Sequence, residues 1–125
     1  MGTQVYKDFL ELGAKRHEKL FPLADLSGQL LKLEEELEEL QNAPTMEKVI
    51  NELADCLICC QGVYRFAPRV ADLIIHNSFD IWKEKGILGK AVEYVETKWK
   101  INEARPWVFD VVTKKYKHKG KDGYE

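Results

Sequence analysis

The chain has 125 residues, 45% of them apolar and 32% charged. That length suits one domain on the prior of roughly 100 to 200 residues each, and the composition excludes a disordered or collagen-like chain. Nineteen Lys plus Arg against 21 Asp plus Glu give a formal net charge of −2, so the molecule as a whole has no electrostatic claim on nucleic acid or an anionic membrane. No run approaches the roughly 20 apolar residues of a membrane span, and the N-terminus mixes both charge signs, which predicts a cytoplasmic protein.

Glycine and proline divide the sequence into five helix-like pieces, with no alternating pattern long enough to build a sheet. The first runs from Tyr6 to Leu20, before Pro22, and the second from Leu23 to Asn42. Pro44 or Thr45 restarts the chain, as Pro at a first helical position or Thr as N-cap. The third piece then reaches Phe66, the fourth runs from Pro68 to Lys85, a break spans Gly86 to Gly89, and the fifth runs from Lys90 to Arg105. Trp107 to Val112 packs back as an extended or short helical arm, and the lysine-rich residues 114–125 read as a flexible basic tail on a single domain of residues 1–113.

Leucines at 26, 30, 33, 37 and 40 form a narrow seam on the second helix, the pattern of a bundle or coiled coil. Val49, Ile50, Leu53, Cys56, Leu57, Cys60, Val63 and Tyr64 give the third helix a wider apolar face, which makes it the central helix. Leu88, Val92, Val95 and Trp99 give the fifth one buried side. The expected fold is all-α, an antiparallel bundle of four to five helices completed by oligomerisation. Cys56, Cys59 and Cys60 lie in an apolar segment and read as small core residues.

The second helix also carries Glu34, Glu35, Glu36, Glu38 and Glu39. Like charges at i,i+4 cost a helix a few tenths of a kcal/mol per pair. A solvated surface face is the plain explanation, yet Glu36 falls about 40–60° from Leu33 and Leu40 on the wheel, at the border of the buried stripe, with Glu39 on the same flank. The third helix repeats the arrangement with Glu52 and Asp55. A short connection makes the two helices antiparallel neighbours, so four carboxylates face one cleft, a donor set suited to Mg²⁺ or Mn²⁺. On the fifth helix Tyr94, Lys98, Asn102 and Arg105 lie within about 60° of one another, groups that suit phosphate, sugar or a base edge, or else pair with Glu93, Glu96 and Glu103 on an ordinary exposed face.

The run Leu33-Glu34-Glu35-Glu36-Leu37-Glu38-Glu39-Leu40 followed by Glu52-Leu53-Ala54-Asp55 resembles the E-E-x-x-E, E-x-x-D signature of the MazG-like all-α nucleoside triphosphate pyrophosphohydrolases. Lys98, Asn102, Arg105 and Trp107 are similar to the K-x-x-x-N-x-x-R-x-W ending of compact members. Glu35, Glu36 and Glu39 give the best register; Glu34, Glu35 and Glu38 also fit. The resemblance implies hydrolysis of a (d)NTP between the α- and β-phosphates for nucleotide-pool control, with a purine such as dGTP as substrate. It implies Mg²⁺ or Mn²⁺ held by Glu36, Glu39, Glu52 and Asp55, with Glu35 as a further ligand or the base. Lys98 and Arg105 clamp phosphate, Asn102 contacts phosphate or sugar, and the base lies among Trp82, Tyr94, Trp107, His76 or Asn77. A homodimer or homotetramer is implied. The reading from a different class is a non-catalytic helical interaction module with an acidic coiled-coil surface.

Overall fold

The computed structural model describes residues 2–78 and 86–118. Helix α1 spans Gly2–Leu20, and the chain turns through Pro22 and Leu23, with Ala24 N–H donating to the Phe21 carbonyl at 3.1 Å. Helix α2, Leu26–Gln41, begins three residues later than its apolar pattern suggests, because the Asp25 side chain takes the N-cap and accepts from Gly28 N–H. Helix α3, Met46–Phe66, starts at the Thr45 cap, whose hydroxyl accepts from Lys48 N–H. It stops where Pro68 disfavours the helical conformation of Ala67, and Pro68 opens α4, Pro68–Ser78. The expected continuation of that helix to Lys85 falls on residues outside those described. Helix α5, Ile87–Ala104, follows Gly86, whose left-handed φ of 73° suits a residue without Cβ. Gly89 lies inside α5, so the expected break at 86–89 is confined to its first residue.

The described chain is mostly helical, as the pattern predicts, with one small sheet added. Strand β1, Trp107–Asp110, pairs antiparallel with β2, Lys115–His118. This corrects the expectation of no sheet and of a tail beginning at Lys114: the boundary placed after Thr113 falls inside the hairpin turn. The Asp110 side chain holds that turn, its Oδ1 accepting from Val112 N–H at 2.9 Å and Thr113 N–H at 3.3 Å, while Lys114 takes a φ of 59°. Strands this short carry too little alternation to be read from sequence. The hairpin docks through aromatic rings: Phe21 meets Trp107 and Tyr116, each at 4.9 Å between centroids. The Tyr116 hydroxyl accepts from Leu23 N–H at 2.8 Å.

Helix α3 is central, as its wide apolar face predicts, and packs against α1, α2, α4 and α5. Leu53, Cys56, Leu57, Cys60 and Val63 are fully buried with Leu10, Ile75 and Trp99. The three cysteines are buried and free, and burial pushes the Cys60 thiol up to about 12, the condition of inert core thiols. Polar groups tie the helices at the other end. Trp99 Nε1 donates to Gln61 Oε1 at 2.7 Å, and Gln61 Nε2 donates to the Phe9 carbonyl. His17 is buried between Gln29, 3.0 Å from Nε2, and Arg65, 3.1 Å from Nδ1. Gly62 lets α3 approach these groups, since a Cβ there would overlap the Gln29 side chain.

Candidate metal centre

Glu36 sits on the same side of α2 as Leu33 and Leu40, and all three are buried. One turn later Glu39 follows on that flank, and Glu52 comes from the first half of α3. One carboxylate oxygen from each of Glu36, Glu39 and Glu52 lies within 4.8 Å of the others. The charges are forced together by packing: of the leucine seam, Leu33 and Leu40 are buried in the core while Leu30 stays exposed, and Glu36 beside them is drawn into the crevice between α2 and α3.

Two oxygens mark the crevice as incomplete. Glu36 Oε1 and Glu52 Oε1 are buried with no hydrogen-bond partner, although a buried carboxylate normally accepts several bonds. Burial and the neighbouring Asp55 and Glu39 carboxylates push Glu52 up to about 7. Glu36 is also raised, by burial first and then by Asp55 and Glu39 against the opposing pull of Lys32. Asp55 is raised by burial in spite of Lys98. A divalent cation would remove the repulsion and fill the orphaned lone pairs, and an all-oxygen donor set would suit Mg²⁺ or Mn²⁺.

Two lysines border the cluster. Lys32 Nζ is 3.1 Å from Glu36 Oε2, and Lys98 Nζ is 2.9 Å from Asp55 Oδ1. Glu36 therefore has one oxygen held by Lys32 and the other bare toward the cluster. Glu35 lies apart from the trio, exposed, with Lys115 of the hairpin 3.6 Å from its Oε2. It lines a cleft of about 540 Å³ with Glu38, Glu39, Asn42, Ala43, Pro44, Lys48 and Glu52. Glu34 lies on another side of α2, in an apolar groove with Leu30, Leu31 and Leu37. The cluster thus contains Glu36 and Glu39, Glu35 and Glu38 line the adjoining cleft, and Glu34 belongs to neither.

Comparison with known protein families, with curated proteins and with solved structures finds no match. The site stands on its own residues.

The strip on α5 is divided among several tasks. Lys98 is drawn to Asp55, and its ammonium lies 5.4 Å from the ring centroid of half-exposed Tyr94. The Asn102 carbonyl accepts from Trp107 Nε1 at 2.7 Å and from Arg105 N–H, so Asn102 anchors the hairpin through its backbone. Arg105 is the C-cap of α5. Trp107 packs edge-on against Phe21, which makes it a structural ring in the hairpin dock. His76 lies 3.6 Å from Asp72 and edge-on to Tyr6, and Asn77 is exposed on α4. Trp82 lies outside the described residues. Lys115 was hidden from the sequence by its place in an apparently solvated lysine run.

Proposed function

We propose that this chain is a metal-dependent nucleoside triphosphate pyrophosphohydrolase that converts a (d)NTP to the monophosphate and pyrophosphate. The substrate is a deoxynucleotide with a purine base such as dGTP. The observation that carries the reading is the gathering of Glu36, Glu39 and Glu52 from two helices, with two buried oxygens left unpartnered.

In this reading Glu36, Glu39 and Glu52 hold the ion, with Asp55 as the fourth carboxylate. A bound divalent ion supplies charge neutralisation of the triphosphate and a lowered pKa for attacking water. Glu35, exposed on the cleft wall, accepts the proton of the water that attacks the α-phosphorus while pyrophosphate departs. Lys32 holds one oxygen of Glu36 and leaves the other unpartnered, while Lys98 holds Asp55, which stands outside the trio of Glu36, Glu39 and Glu52. The apolar groove on α2, with Leu30 and Leu31 exposed at 40% and 51%, supports association with a second copy. No described helix is long and apolar enough to cross a membrane, in keeping with a cytoplasmic enzyme of nucleotide-pool control.

The test is a panel of dNTPs and NTPs with Mg²⁺ or Mn²⁺, with nucleotide products, pyrophosphate and free phosphate separated by chromatography. Monophosphate with stoichiometric pyrophosphate is the expected result. No product from any nucleotide, together with no Mn²⁺ binding by calorimetry, overturns the reading in favour of a helical interaction module.

A further inference from the structure

The proposed reaction leaves an electrostatic problem that the acidic cleft itself poses. A triphosphate carries several negative charges, and the approach to the ion passes Glu35 and Glu38 on the cleft wall. Two lysines bordering the carboxylate cluster are committed, Lys32 to Glu36 and Lys98 to Asp55, and Lys98 is largely buried. Polyphosphate needs other partners at the rim.

Two lysines meet that need. Lys48 stands in the first turn of α3, where its backbone N–H is taken by the Thr45 cap. Its side chain lines the cleft beside Glu39 and Glu52, and its ammonium makes no hydrogen bond or ion pair among the described residues. Lys115 comes from the hairpin. Its position is set by its neighbour Tyr116, pinned by Phe21 and by Leu23 N–H, and its ammonium reaches Glu35 across 3.6 Å with both side chains more than half exposed. That separation is too long for a strong hydrogen bond, and an exposed ion pair of this kind contributes little, so the ammonium can exchange Glu35 for a phosphate oxygen.

We propose that Lys48 and Lys115 are the phosphate-binding residues of this cleft, one from the start of α3 and one from the C-terminal hairpin, and that together they hold the outer phosphates of a polyphosphate chain. The hairpin is then part of the site. This assignment rests on the reading above and moves phosphate recognition from the α5 strip to Lys48 and Lys115.

The test is calorimetric titration of the full chain with inorganic tripolyphosphate in excess Mg²⁺, beside a titration with Mn²⁺ alone. Lys48→Met and Lys115→Met should each weaken tripolyphosphate binding about tenfold, the loss of one charge-assisted contact. Lys48→Arg and Lys115→Arg should stay near wild type, as should Lys90→Met, an exposed lysine on α5 outside the proposed site. Mn²⁺ binding should be unchanged or tighter in the Met variants, since they remove positive charge; weakened Mn²⁺ binding would mean general damage and overturn the assignment. Tripolyphosphate affinity unchanged in both Met variants, or wild type that binds Mn²⁺ but no tripolyphosphate, overturns this inference and leaves the metal reading standing. Wild type that binds neither overturns both.

Discussion

Replacing Glu52 by Gln should stabilise the metal-free protein and abolish its response to metal. The raised proton affinity of Glu52, from 4.5 to about 7, records the cost of keeping its charge partly buried and beside Asp55 and Glu39. At roughly 1.4 kcal/mol for each tenfold change in affinity this is about 3 kcal/mol in an unscreened site. Glu52 is only half-buried, so solvent screening reduces the figure to about 1–2 kcal/mol. At roughly 4 °C per kcal/mol for a domain of this size, Glu52→Gln should raise Tm by about 4–8 °C at pH 8 in EDTA. The sign follows from linkage: the folded state binds the Glu52 proton more tightly than the unfolded state. The gain is therefore full above about pH 7, shrinks as the pH falls and is absent below pH 4.5, where both states are protonated. Metal reverses the order. An ion at 100 times its Kd adds ~2.7 kcal/mol to the wild type, and the variant forgoes most of that. Thermal scans in EDTA and in millimolar Mn²⁺ give all four values; a variant no more stable than wild type in EDTA refutes the argument.

Glu36→Gln and Asp55→Asn should each lower kcat by at least about 100-fold, the scale of losing one electrostatic contact at a reacting centre, with helicity by circular dichroism and Tm in EDTA unchanged or raised; unfolding in EDTA would assign these carboxylates a structural role. His17 supplies the opposite pH trend: burial first, then Arg65, pushes it down to about 4 from 6.5. Its contribution is complete above pH 6.5 and lost as the pH falls to 4, about 2 kcal/mol of it by pH 5. Urea unfolding at pH 7.5 and 5 should show a steeper acid loss in wild type than in His17→Gln, and parallel losses would contradict the buried neutral imidazole. Trp99→Phe removes the donor to buried Gln61 Oε1 and should cost about 1–3 kcal/mol, while Mn²⁺ affinity measured by calorimetry stays at the wild-type value.

Much of this site could be read from periodicity, because packing itself makes it. Glu36 borders the leucine seam on a helical wheel, and a residue at that border is buried once the seam docks. Glu39 and Glu52 follow from the same wheel and the short connection between α2 and α3. The ties of Lys98 and Lys115 were not legible, since they depend on where α5 crosses α3 and where the hairpin folds back, distances that no local pattern encodes. The hairpin's anchors, Phe21, Trp107 and Tyr116, are far apart in sequence. His17 stood on an amphipathic helix with nothing to distinguish a buried imidazole from a solvated one.

The carboxylate cluster is built from two consecutive helices joined by a short turn, so its members are near in sequence as well as in space. Little loop-closure entropy is spent in assembling it. Repulsion among Glu36, Glu39 and Glu52 opposes the pairing of α2 with α3 itself. If the cluster holds a cation as proposed, relief of this repulsion would speed the folding reaction itself, so the ion would act on how quickly the chain matures.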